Sequence, residues 1–401
     1  MSINPATRTA NFHYAIRNIV SAAEAIERSG REVTHLNIGD PQAFGFGPPA
    51  HVIEAVEEAL RHKFTGYAHS AGMVQAREAV AAYSTSIGSK ASPDDVIITS
   101  GASEAADLVL SALVDSGDEV LMPAPGYPIY TAILNKLGAR ARPYRLDQAN
   151  RWQPSAGEVR RLITNRTRAL ILINPNNPTG SITRDETTRE LLEIASEHNL
   201  LVISDEVYRE LCFGKQPSPA SIIAEQTRTP LVTLDSLSKT HMLSGWRVGW
   251  MRFTNTEKMA DLYRSVMKLA SGRLCSPTPT QYAIKPALEG GREFIDDFMR
   301  EIRRRRDLAV SHVNAIAGLS CAESEAAFYL MIKAEDTRGQ TDEQFVLSLL
   351  EATGVLVVHG SGFGADPADG YFRMVYLADE ETLSTSFDHI ARFLSSKRKE
   401  S

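Results

Sequence analysis

The segment 230–250, "PLVTLDSLSKTHMLSGWRVGW", places a short β-branched run directly before Lys239, which stands among small hydroxyl residues and is followed eight positions later by Arg247. The run "PLVTLDS" is apolar on successive residues, which is how a strand covered on both faces of a largely parallel sheet reads. Four other stretches have the same texture: "DVIITSG" at 95–101, "DEVLMP" at 118–123, "RALILINP" at 168–175 and "LLVISDE" at 200–206. Amphipathic segments such as "SEAADLVLSALVDSG" (103–117) and "TRDETTRELLEIASEHN" (183–199) lie between them. That alternation predicts an α/β fold, a mainly parallel central sheet flanked by helices.

Beyond about residue 290 the pattern changes. A long helical period through "REFIDDFMREIRRRRDLAVSHVNAI" is followed by "AAFYLMIKA", a helix through "DEQFVLSLLEATG", the strands "VLVVHG" and "YFRMVYL", and a last helix. A smaller α+β domain is expected there. The expected boundaries are 1–48 for an N-terminal arm and helix joining the small domain, 49–290 for the large domain and 291–401 for the small one. In the long helix, Ile295, Phe298, Met299, Ile302, Ala309, Val313 and Ile316 recur at helical spacing, so most of the run Arg303–Arg306 is expected to face water.

Composition excludes several classes. The 401 residues carry a formal net charge of -6 without a concentrated basic face, which argues against nucleic acid. No segment approaches the roughly 18 apolar residues of a membrane helix. The three cysteines, Cys212, Cys275 and Cys321, are too scattered for a metal site or a disulfide framework, and a reduced, cytoplasmic setting is expected. The glycine-rich "HGSGFG" at 359–364 lacks the GxGxxG spacing of a dinucleotide loop.

In open α/β sheets ligands bind beyond the carboxyl ends of the strands, so the residues after each run carry the functional information. They are Ser100-Gly101-Ala102-Ser103 opening a helix, "NPNNPTG" at 174–180, "DEVY" at 205–208, and the lysine segment. A helix N-terminus and an arginine can hold a phosphate dianion, a buried carboxylate can keep a pyridine nitrogen protonated, and a lysine can bind an aldehyde. These are the requirements of pyridoxal 5'-phosphate.

In "NPNNPTG", "DEVY" and "SxSKxxxxxGxR", in this order along the sequence, the chain resembles the fold type I pyridoxal-phosphate-dependent aminotransferases, class I/II. The resemblance runs from "LNIGDP" to "FRMVY". It implies Lys239 as the Schiff-base lysine and Asp205 as the partner of the ring nitrogen. Asn177 and Tyr208 would bond the ring's phenolic oxygen, and Tyr127 would stack on the ring. Arg247, Ser236 and the amides of Gly101, Ala102 and Ser103 would form the phosphate cup. Arg373 and Gly39 would bind the substrate α-carboxylate, and Tyr67 would reach the phosphate of a neighbouring subunit in a homodimer.

"YAIRNIV", "LNIGDPQAFGF", "SGRLCSPTPTQYAIKPAL" and "VVHGSGFG" are similar to the alanine aminotransferase branch. The expected reaction is alanine plus 2-oxoglutarate to pyruvate plus glutamate, with Arg17 and Tyr14 as candidates for meeting the second carboxylate of glutamate. Aminotransfer from aspartate, an aromatic or another larger amino acid is an alternative, as is a pyridoxal-phosphate-dependent lyase; a cofactor-binding regulator without turnover is disfavoured. Asp235-Ser236 stands where that branch often carries Asn-Gly, and "VYREL" replaces the more usual "IYD".

Overall fold

The computed structural model describes residues 3–6, 15–337 and 339–398. Thirteen strands are numbered along the described chain. They are β1 (Thr34–His35), β2 (Val96–Thr99), β3 (Glu119–Ala124), β4 (Arg140–Arg145), β5 (Thr167–Ile173), β6 (Leu201–Asp205), β7 (Leu231–Ser236), β8 (Gly249–Thr254), β9 (Leu319–Cys321), β10 (Tyr329–Ala334), β11 (Val355–Leu356), β12 (Val358–His359) and β13 (Tyr371–Val375).

Strands β2 to β8 form one sheet in the order β2-β8-β7-β6-β5-β3-β4. Only β8 runs against its neighbours, pairing antiparallel with both β2 and β7. The carboxyl ends of β2, β3, β5, β6 and β7 therefore share one edge. Alternate residues explain the two-faced apolar runs: Ala169, Ile171 and Ile173 of β5 pack with the helices Ala102–Leu113 and Ile129–Leu137, whereas Leu170 and Leu172 pack with Asp185–Glu197 and Ala220–Thr227 on the other face. Burying each of these Leu and Ile side chains contributes about 1.5–3 kcal/mol. The strand β4, "RARPYR", has an exposed first residue and carries Pro143, as suits a sheet edge.

A second sheet, β12-β13-β10-β9, is antiparallel throughout, and β1 pairs in parallel with β11. Ile19, Ala23 and Leu36 from the N-terminal segment share the core of this smaller unit. The helix Glu293–Ala315 packs Ile295, Phe298, Ile302, Ala309 and Val313 into the same core. The expectation that its arginines mostly face water holds for Arg303 and Arg304, which are exposed, and fails for Arg305 and Arg306, which are buried. Arg305 lies 4.9 Å from the ring of Phe46, and Arg306 lies 4.3 Å from that of Phe213 and donates to the Ser324 carbonyl at 3.1 Å. Phe46, Phe213 and the carbonyls of Leu377 and Ser324, all outside helices, cover these flanks, and a guanidinium stacked on a ring with a carbonyl partner tolerates burial. No helix among the described residues is long and apolar enough to cross a membrane.

Candidate active site

Strand β7 ends at Ser236, whose Oγ accepts from the Ser238 amide at 3.3 Å and so starts the short helix Leu237–Thr240. This turn carries Lys239 back over the sheet edge, where its Nζ donates to the Gly39 carbonyl at 2.5 Å. Burial drives the amine down to about 8, against the opposing pull of Asp40. A lysine held this way is partly neutral near physiological pH, the state a nucleophile or base requires.

One strand over, Asp205 ends β6, paired with Ile173 and Leu234 of β5 and β7. It is buried, with Oδ2 accepting from the Tyr130 hydroxyl at 2.7 Å and Oδ1 from the Val207 amide at 3.3 Å. Burial raises its carboxyl to about 6, and the two hydrogen bonds limit the rise. Three residues further, the Tyr208 hydroxyl lies 2.7 Å from that of Tyr329 on β10, and burial keeps its pKa well above the ordinary tyrosine value.

The ends of β2, β7 and β8 meet through the pairs Thr99 with Gly249 and Ser236 with Gly249. A Cβ on Gly249 would sit 2.6 Å from the Gly101 carbonyl carbon, so only glycine admits the backbone there. Gly101 begins the helix Ala102–Leu113 at φ +82°, with no side chain capping it, and a Cβ on it would lie 2.5 Å from Arg247 Nη2. Arg247, itself in the left-handed region, donates to the carbonyls of Ser244 and Ser100 at 2.8 and 3.2 Å. Helix amides beside a guanidinium make an anion cradle. With a buried amine and a buried carboxylate on the same edge, the chain fits a phosphorylated pyridine aldehyde.

Arg373, on β13, is 1% exposed. It donates to Asn177 Oδ1 at 3.0 Å and to the Asn37 carbonyl, with the rings of Tyr329 and Phe363 at 4.5 and 4.6 Å. Gly39 is packed so closely that a Cβ would collide with the Tyr329 hydroxyl. The loop bearing Tyr127 is joined to the small domain by the Gly126 amide donating to the Phe363 carbonyl at 2.8 Å, and to the "NPNNPTG" loop by Asn176 donating to the Pro125 carbonyl at 3.2 Å. Lys239, Asp205, Tyr208, Asn177, Arg247 and Arg373 thus come from both units to one place.

Other residues stand differently. Tyr67 is 84% exposed in the single chain. Tyr14 lies outside the described residues; Arg17 is in the helix Ala15–Arg28, its side chain likewise outside them. Asp235 is half-buried, accepts from the Ser236 amide at 2.7 Å, and is held well above the carboxylate range by desolvation of its carboxyl. Its neighbour Arg209 lies 3.5 Å from Glu206 and bonds the Tyr83 hydroxyl, so the replacements at Asp235 and Arg209 fall in one network, where the guanidinium opposes the rise of the Asp235 carboxyl.

Tyr130 and Tyr329 escape a reading of strand ends. Tyr130 stands in the first turn of the helix Ile129–Leu137 that follows the Tyr127 loop, and no strand-end pattern marks it. Tyr329 had no signal either, being one aromatic residue in a small-domain strand.

The family profile described as Aminotransferase class I and II matches residues 31–390. The chain is 35% identical to the glutamate-pyruvate aminotransferase of Escherichia coli (strain K12), over 98% of each chain. It is also 35% identical to an alanine aminotransferase of Mycobacterium tuberculosis (strain H37Rv), covering 96% of this chain and 91% of that one. Among solved structures, the alanine aminotransferase of Pyrococcus furiosus superposes with a TM-score of 0.95 at 36% identity, covering 98% of this chain and 100% of that one. The aspartate aminotransferase of Thermus thermophilus with maleate gives 0.89 at 28% identity, covering 98% and 100%.

Proposed function

The chain belongs to the class I and II aminotransferases, and on that premise we propose that it moves the amino group of L-alanine to 2-oxoglutarate, giving pyruvate and L-glutamate, with pyridoxal 5'-phosphate as cofactor. The observation that carries the chemistry is the gathering of a buried Lys239 amine, a buried Asp205 carboxylate and the Arg247–Gly101 anion cradle on one sheet edge. The choice of alanine rests on full-length similarity to the alanine and glutamate-pyruvate enzymes.

Lys239 would hold the cofactor's aldehyde and move the proton at the substrate Cα. Asp205 would keep the pyridine nitrogen protonated, and Asn177 and Tyr208 would bond the phenolic oxygen. Tyr127 would stack on the ring, while Ser236, Arg247 and the amides of Gly101, Ala102 and Ser103 would hold the phosphate. When bound, the cofactor supplies an electron sink for the pair released at Cα. Arg373, with its planar fork, would grip the α-carboxylate beside Gly39 and so fix which Cα bond is broken. The two half-reactions share this pocket, and Arg17 with Tyr14 would meet the second carboxylate of glutamate.

The active unit is a homodimer in this reading. Tyr67, Leu60, Phe64, Val74 and Leu274 are among the large apolar or aromatic groups left exposed on the single chain, which supports a partner chain. Division of the chain at 48/49 and 290/291 is supported by the pairing of β1 with β11 and by the start of the long helix at Glu293. Three free cysteines suit a cytoplasmic setting.

The test is a titration of the holoprotein's visible absorbance. L-Alanine and L-glutamate should each consume the band, and pyruvate or 2-oxoglutarate should restore it. A band that neither amino acid shifts would reject the substrate pair, and a panel of larger amino acids would then identify the donor.

A further inference from the structure

We infer that Tyr329 is a positioning residue that couples the grip of Arg373 on the substrate carboxylate to the hydrogen bond that Tyr208 gives the cofactor. The inference rests on the proposed function and adds a residue that its motifs do not contain.

Tyr329 lies on β10, and β13 pairs with it so that Met331 faces Arg373 and Tyr329 faces Val375. Tyr329 and Arg373 are therefore diagonal neighbours on one face of the sheet, close enough for an aromatic ring to reach a guanidinium. The ring centroid lies 4.5 Å from the guanidinium carbon, a cation–π contact that helps fix the arginine's plane in a buried site. The other end of the same side chain leaves the small unit. Its hydroxyl lies 2.7 Å from that of Tyr208, which belongs to the segment after β6 of the large sheet. Space for this hydroxyl exists because residue 39 is glycine, and the Gly39 carbonyl is the acceptor of the Lys239 amine. One side chain thus touches the carboxylate subsite, the lysine's acceptor residue and the phenolic-oxygen ligand.

Proton counting sets the direction. Each hydroxyl has one proton. A Tyr208 that donates to the cofactor's phenolic oxygen can only accept from Tyr329, so Tyr329 must be the donor in the loaded protein. Donation into the Tyr208 oxygen polarises its O–H and strengthens its own bond, which favours the ionised phenolic oxygen.

The experiment compares holoproteins of the wild type, Tyr329→Phe, Tyr329→Leu, Tyr208→Phe and the Tyr208→Phe/Tyr329→Phe double variant. Two readouts are taken: the pH midpoint of the visible band, and KM for L-alanine. Tyr329→Phe keeps the ring and loses the donor, so the midpoint should rise by about 0.5–1 pH unit, the size of one neutral hydrogen bond, with KM held within about twofold. Tyr329→Leu should raise both the midpoint and KM. In the Tyr208→Phe background the Tyr329→Phe change should add no further shift, because the relay has lost its recipient. An unchanged midpoint in Tyr329→Phe, additive shifts in the double variant, or a KM rise in Tyr329→Phe equal to that in Tyr329→Leu would each overturn the coupling. A wild-type protein that takes up pyridoxal 5'-phosphate without any pH-dependent visible band would instead overturn the cofactor reading beneath it.

Discussion

The Tyr130 hydroxyl donates to Asp205 Oδ2 at 2.7 Å, inside a site where burial raises the Asp205 carboxyl to about 6. The bond opposes that rise, so Tyr130 keeps Asp205 closer to the ionised form that a protonated pyridine nitrogen needs. Tyr130→Phe should lower kcat about tenfold, a loss of one charge-assisted hydrogen bond. Asp205→Ala should lower it by several orders of magnitude. A loss of only a few-fold in Asp205→Ala would mean that the carboxylate is structural.

The same shift makes a stability statement about the cofactor-free protein. Asp205 has a folded pKa above its ordinary value of 3.8, so its contribution to stability is fully present below that value and disappears as pH rises through about 6. The change is about 3 kcal/mol over that window. Denaturant unfolding of the apoprotein should show wild-type stability falling from about pH 4 to 7 relative to Asp205→Asn. Parallel curves for the two proteins would contradict a buried, proton-binding Asp205.

Lys239, whose amine burial brings down to about 8, should react with added pyridoxal 5'-phosphate at a rate that climbs through that pH and then levels. A rate still climbing at the pH of an ordinary lysine would place the amine in water. Lys239→Ala should abolish turnover and can keep the cofactor without a covalent bond; substantial remaining transamination would sink its assignment.

Arg373 bridges Asn177 and the Asn37 carbonyl while buried between elements of both units. Lysine lacks the planar fork, so Arg373→Lys should raise KM for alanine and glutamate alike, lowering kcat/KM on the order of 100-fold, the effect of about 3 kcal/mol at a buried charged contact. An effect confined to one of the two amino acids would tell against α-carboxylate binding.

At Gly101 any side chain faces two obstacles, the φ of +82° with ψ of 167° and the Arg247 guanidinium 2.5 Å from the added Cβ. Gly101→Ala should therefore displace Arg247 and weaken retention of pyridoxal 5'-phosphate by about tenfold or more, with strain of about 1–3 kcal/mol in the backbone. Equilibrium dialysis measures it. Unchanged retention would mean that the phosphate is held elsewhere.

Much of this protein is written in local pattern. Successive apolar residues in β5, β6 and β7 require cover on both faces, and the loops leaving these parallel strands must lie on one edge, so Asp205, Lys239 and "NPNNPTG" can be placed near one another from pattern alone. Strand β4 is not legible in this way, because an edge strand such as "RARPYR" needs no continuous apolar run. The burial of Arg305 and Arg306 is hidden for a related reason: helical spacing identifies the most apolar stripe, and a helix covered on further sides adds burial that periodicity does not encode.

Chain order and residue type determined which groups are available and which strand end presents each. Only the tertiary structure decided which of them touch. Tyr130 reaches Asp205, Tyr329 spans from Arg373 to Tyr208, and Gly39 leaves room for that hydroxyl, through contacts between residues 75, 121 and 290 positions apart. The physical reason is that a strand end can be inferred from hydration preferences along a few residues, whereas a 2.7 Å contact between distant segments depends on how two sheets and the helices between them pack as solids.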